Sequence, residues 1–155
     1  MKVFQIMRSE PRTIAPDNTA TTAGRLMAEV DCGWLPVVEN GRPVGVVTDR
    51  DLCLALAMGD RKPSALKVRH AMTPRVHFCR ADDDVREALT VMREQQVRRL
   101  AVLGERDRLI GVLSLDDAVF EARPFETEGF TGPFYADITA TLRSIVQRPA
   151  LVAAG

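Results

Sequence analysis

Aromatic side chains are scarce in this sequence, with one Trp, one Tyr and six Phe among 155 residues. Aliphatic side chains must therefore fill most of any core. Cysteine is scarcer still: Cys32, Cys53 and Cys79 are odd in number and form no C-x-x-C pair. This excludes a disulfide framework and points to reduced, mostly buried thiols. The two histidines, His70 and His77, have no helix-spaced partner or cysteine pair, so they read as structural and no metal site is expected. Neither charge is in excess, because 21 Lys and Arg balance 21 Asp and Glu; nothing in the charge favours a nucleic-acid or membrane partner. Long apolar runs are absent, and no stretch approaches the ~20 residues that span a bilayer. The opening "MKVFQIMRSEP" meets acid and proline too early for a signal peptide, and a cytoplasmic location is expected. There is also no G-x-x-x-x-G-K-[ST] phosphate loop, G-x-S-x-G elbow or plausible Cys-His assembly, so neither an enzyme nor a catalytic cofactor is expected.

What the sequence does have is an internal repeat, the feature that decides the fold. "APDNTATTAGRLM" (15–27) aligns with "RADDDVREALTVM" (80–92), and "WLPVV" (34–38) with "RLAVL" (99–103), at an offset of 65. The offset becomes 66 where the turn "ENGRP" (39–43) is answered by "GERDRL" (104–109). Ala20, Ala23, Leu26, Met27 and Val30 share one helical face, as do Val85, Ala88, Leu89 and Met92. Thr19 and Asp84 stand at N-cap positions, and Glu87 completes a capping box with Asp84. The acidic run 82–84 therefore reads as a helix start.

Two short apolar runs around a polar turn follow each helix: Leu35–Val38 with Val44–Val47, and Leu100–Leu103 with Leu109–Leu113. Each pair predicts a β-hairpin whose near-continuous Val and Leu content suits strands covered on both faces. A second helix follows, to about Met58 and about Ala122, and a short first strand is expected near Thr13–Ile14 and Val76–Phe78. The expected fold class is α/β (α+β), with two tandem β-α-β-β-α units. The first spans 1–60, a linker 61–65, the second 66–122, and an extension 123–155.

The repeated "GVVTDRDL" (45–52) and "GVLSLDDA" (111–118) admit two readings. Thr48-x-x-Asp51 and Ser114-x-x-Asp117 have the form of a capping box. The same geometry offers helix-end N–H groups to an anion, a carboxylate to the vicinal hydroxyls of a ribose, and a glycine beside which other groups can approach closely. Spacing alone does not decide between cap and site.

The two units, with the hairpins "WLPVVENGRPVGVVTDRDL" and "RLAVLGERDRLIGVLSLDDAV", closely resemble tandem cystathionine β-synthase (CBS) domains, the Bateman module, over about residues 1–122. In that family the G-h-x-[ST]-x-x-D element binds adenosine nucleotides. The resemblance implies sites at Gly45, Val47, Thr48 and Asp51 and at Gly111, Leu113, Ser114 and Asp117, with apolar residues beside adenine and the Asp on the ribose. It also implies a homodimer, and a ligand such as AMP, ADP or ATP in the cleft between units that signals to a regulated partner protein. Arg98 and Arg99 precede the second copy's strand as candidates for phosphate contact and favour that copy; the first copy has "CGW" (32–34) there. Trp34 is either a base-stacking surface or a core or dimer aromatic. The alternative function is a structural dimerisation or assembly module whose motifs are only caps.

The extension holds four of the eight aromatics within "FETEGFTGPFY" (125–135). The following "ADITATLRSIVQ" (136–147) places Ile138, Leu142, Ile145 and Val146 on one helical face, with Pro149 as a stop. That face either packs back on its own module or forms a dimer or partner surface.

Overall fold

The computed structural model describes residues 1–125 and 128–147. In chain order the elements are β1 (Arg8–Ser9), α1 (Ala20–Glu29), β2 (Trp34–Glu39), β3 (Arg42–Thr48), α2 (Asp49–Gly59), β4 (Phe78–Arg80), α3 (Val85–Gln95), β5 (Arg99–Leu103), β6 (Leu109–Ser114), α4 (Leu115–Glu121) and α5 (Tyr135–Val146). Both copies obey the same local physics. Thr19 caps α1 by accepting from the Thr22 N–H, Asp84 caps α3 through the Arg86 N–H, and the Glu87 carboxylate accepts from the Asp84 N–H. Asp60 and Gln96 adopt left-handed backbone where α2 and α3 end.

β2 and β3 form one antiparallel hairpin, and β5 and β6 the other. Leu100, Ala101, Val102 and Leu103 are all buried, as expected of a strand covered on both faces. The second sheet has the order β1-β6-β5-β4, with β4 parallel to β5. In the first copy the outer positions shrink to single bridges: Ile14 pairs in parallel with Val37, and Thr73 antiparallel with Val46. The strand expected at Thr13–Ile14 is thus one residue wide, confined between Pro11 and Pro16, which donate no ladder hydrogen bonds. Its counterpart lies two residues later than expected, at Phe78–Arg80, ending where the Asp83 carboxylate accepts from the Arg80 N–H in a turn.

Packing crosses the sequence division between the copies. Val3 is buried in the second copy's core with Leu89, Met92 and Leu100, and β1 pairs with β6. Reciprocally, Leu66 and Val68 complete the first copy's core with Ile14, Leu35 and Val47. Each copy's leading segment therefore belongs, in space, to the other copy.

The tail helix α5 packs on α3. The Thr141 hydroxyl donates to the Asp137 and Leu89 carbonyls, the Ser144 hydroxyl donates to the Arg93 carbonyl, and the Gln96 side-chain amide donates to the Ser144 carbonyl. Its inward stripe is Ile138, Thr141 and Ile145, whereas Leu142 and Val146 are exposed. The expected stripe was rotated because hydrophobicity selected Leu142 over Thr141, a small residue that approaches α3 and satisfies its hydroxyl locally. Pro149 lies outside the described residues. Phe130 and Phe134 meet edge to face at 5.6 Å, with Arg123 and Arg86 over their rings. Phe125 and Tyr135 remain exposed.

The cysteines are less uniform than expected. Cys79 is buried, and desolvation followed by the Asp83 charge pushes its thiol up to about 12. Cys32 is half-buried and Cys53 is exposed on α2.

Candidate functional site

The two repeated motifs lie at the strand-to-helix turns β3–α2 and β6–α4. Both are complete capping boxes. The Asp51 N–H donates to Thr48 Oγ1 at 3.1 Å, and the Thr48 N–H donates to Asp51 Oδ2 at 2.9 Å. Likewise the Asp117 N–H donates to Ser114 Oγ at 3.2 Å, and the Ser114 N–H donates to Asp117 Oδ2 at 2.8 Å.

The remaining carboxylate oxygens differ. Asp51 Oδ1 has no partner among the described residues. Asp117 Oδ1 accepts from Arg8 Nε at 3.2 Å, with the carboxylate side chain only 10% exposed. The first acid can thus accept a ligand hydroxyl without giving up a protein contact. The second must share Arg8 or release it.

Each motif opens into a cleft. The first, of about 680 Å³, is lined by Thr48, Asp51, Val46, Trp34, Arg98 and Arg99, together with Thr73 to Arg75 and His77. The second, of about 360 Å³, is lined by Ser114, Asp117, Val112, Arg8, Trp34 and Arg99, among others. Both volumes fall in the ~300–1,000 Å³ range of small-molecule sites. The clefts are built across the copies, because each joins one motif to the strand entrance of the other copy. Trp34 and Arg99 occupy equivalent positions in the repeat and line both clefts.

Four expectations change here. Val47 and Leu113, expected beside the base, are 0% exposed in the cores, and their neighbours Val46 and Val112 line the clefts. Alternation along a strand turns adjacent side chains to opposite faces, so a one-residue displacement exchanges core for cleft. Gly45 and Gly111 line neither cleft. A Cβ on Gly45 would stand 2.8 Å from the Thr73 carbonyl, and one on Gly111 2.7 Å from Met7 Sδ, so the glycines admit the exchanged segments. Arg98 lies in the first motif's cleft, and Arg99 is shared by both; the basic pair does not favour the second copy.

The fourth change concerns the helix-end amides. In α2 the Asp49 N–H donates to the Gly33 carbonyl at 3.1 Å, the Arg50 N–H to Asp49 Oδ1 at 2.7 Å, and the Asp51 N–H to Thr48. In α4 the Leu115 N–H is likewise taken by the Arg98 carbonyl. The first three amides of α2 are therefore committed within the protein, and guanidinium groups remain as the donors for an anion. Arg75, Arg98 and Arg99 form no ion pair among the described residues. Burial, followed by the Arg75 charge, holds the His77 imidazole below its ordinary pKa. Local propensity gave no signal for Arg75 and His77, because they enter through the segment linking the copies.

Comparisons with known proteins agree with this architecture. The family model for the CBS domain matches twice, at residues 3–58 and 68–123. The uncharacterized protein YlbB of Bacillus subtilis is 35% identical over 130 residues, which cover 83% of this chain and 86% of that protein. Among solved structures, the CBS domain protein TA0289 of Thermoplasma acidophilum is 26% identical with a TM-score of 0.73, covering 93% of this chain and 75% of that one. CBSX2 in complex with AMP is 28% identical with a TM-score of 0.67, covering 77% and 94%. Some relatives are longer: the match spans 64% of a Methanopyrus kandleri protein and 22% of an inosine-5′-monophosphate dehydrogenase from Methanocaldococcus jannaschii. Among the described residues no helix is long and apolar enough to cross a membrane.

Proposed function

Because the chain belongs to the CBS domain family, we propose that it is a regulatory module that binds an adenosine-containing nucleotide in the clefts between its two units and signals to a partner protein. The observation carrying this reading is the juxtaposition, in one cleft, of a carboxylate oxygen and three guanidiniums that have no ion-pair or hydrogen-bond partner among the described residues, together with the Trp34 ring. Asp51 Oδ1 suits a ribose hydroxyl, the arginines suit phosphate, and the Trp34 edge and Val46 supply apolar surface for a base. Its relative CBSX2 was solved with AMP. Thr48, Asp51, Arg98 and Arg99 are assigned to the first site, and Ser114, Asp117 and Arg99 to the second. The role proposed for the protein is regulatory rather than catalytic.

Ribose recognition predicts selectivity. ATP is expected to bind more tightly than its 2′-deoxy counterpart by about 10- to 150-fold, the equivalent of one hydrogen bond to a charged group at about 1.5–3 kcal/mol. Calorimetry of the two ligands measures this, and equal affinities would remove the ribose role from the acids.

A specific observation favours the second reading, an assembly module: both capping boxes are complete without a ligand. A homodimer is compatible with either reading. Leu54 and Met58 on α2, and Val119 and Phe120 on α4, are exposed, with Met58 at 86% and Phe120 at 85%. Large apolar side chains left open on both second helices suit a partner copy. Light scattering is expected to give about twice 17.1 kDa, falling to the monomer mass in Met58→Glu/Phe120→Glu. A monomeric wild type would contradict this assignment.

A further inference from the structure

We propose that the two clefts take different classes of ligand: the first a nucleoside di- or triphosphate, the second an adenosine compound without a phosphate chain. This rests on the nucleotide reading above and deepens it.

The clefts differ in charge. Around the first stand Arg75, Arg98 and Arg99 with the single carboxylate of Asp51. Around the second, the four carboxylates of Glu10, Asp31, Asp116 and Asp117 outnumber the three guanidiniums. Arg8 is already engaged by Asp117. A chain of phosphates entering the second cleft would meet net negative charge, whereas in the first it would replace mutual repulsion among unpaired guanidiniums with charge-assisted hydrogen bonds.

They also differ in size, about 680 Å³ against about 360 Å³. The larger volume lies on the basic side, where a longer ligand needs it. The committed amides at the start of α2 assign phosphate recognition to side chains, so the number of phosphates, rather than one anchored group, sets the affinity. Arg75 and Arg98 are exposed and separated along the chain. Two donors approaching from different segments suit a chain of phosphates better than a single one.

The test is calorimetric titration of the full chain with ATP, adenosine and inorganic tripolyphosphate, for wild type and for Arg75→Ala/Arg98→Ala. Both substituted side chains are exposed, and circular dichroism checks that the variant is folded. Wild type is expected to bind ATP at one site per chain at least about tenfold more tightly than adenosine, the scale of one charged hydrogen bond. The double variant is expected to lose that preference while keeping its adenosine affinity. Adenosine titrated into the ATP-saturated chain is expected to bind at one remaining site; ATP filling two sites per chain, or ATP affinity unchanged in the double variant, would overturn the charge assignment and leave the adenosine reading standing. Arginine-dependent tripolyphosphate binding without any adenosine binding would overturn the nucleoside reading instead, while supporting the first cleft as the polyanion site.

Discussion

Val3→Asp is expected to destabilise the second unit by about 3–5 kcal/mol, the scale of an uncompensated buried charge. That is a large share of the ~5–15 kcal/mol that holds a typical domain folded. The reason is the exchange of leading segments: Val3 is fully buried among Leu89, Met92 and Leu100, and the turn that carries it is hydrogen-bonded to the carbonyls of Ala81 and Asp83. Val3→Ala removes the same packing without a charge and is expected to cost about 1.5–3 kcal/mol. Urea unfolding followed by the near-ultraviolet signal and by amide exchange in α3 and β5 reads the effect. Loss confined to α1–β3 would contradict the exchanged packing. Val68, equally buried in the first core, provides the reciprocal experiment.

Asp51→Asn is the second large effect, this time on ligand affinity. The amide oxygen of Asn can still accept from the Thr48 N–H, so the capping box retains an acceptor and stability is expected to change by less than the ~0.5–2 kcal/mol of a lost cap. The charge is lost, however, along with the carboxylate oxygen that has no partner among the described residues. Affinity at the first cleft is expected to fall by about 10- to 150-fold. Asp51→Ala removes cap and ligand contact together, and comparison of the two variants separates the roles. Asp117→Asn is expected to show a smaller loss, because Arg8 already occupies Asp117 Oδ1.

The repeat, the caps and both hairpins were legible because they are local: Thr19, Asp84 and the apolar runs act through neighbours within a few residues. Val47 and Leu113 lie in the cores rather than the clefts, which a continuous apolar strand does not reveal, because it carries no sign of which alternate residue faces outward; only the packed sheet separates Val46 from Val47. The partners of each motif were hidden for another reason. Arg75 and His77 reach the first cleft, and Arg8 the second, through segments exchanged between copies, contacts distant in sequence that no periodicity records. Gly45 and Gly111 were legible as positions of close approach, but what approaches them is the protein's own chain. On α5, hydrophobic periodicity selects Leu142 over Thr141 because a hydroxyl reads as polar, although its bond to the Asp137 carbonyl lets it be buried.

Nucleotide binding at these clefts requires the motif acids to hold ligand as well as cap helices. The most direct measurement is ligand-induced stabilisation by ATP in wild type and in Asp51→Asn/Asp117→Asn, which compares variants even when their unliganded stabilities differ. With ATP at about 100 times the wild-type dissociation constant, wild type is expected to gain about 2.7 kcal/mol, and a variant binding 100-fold more weakly only about 0.4 kcal/mol. A double variant that keeps the full gain would show that the acids are caps alone and would contradict the assignment of nucleotide binding to these residues.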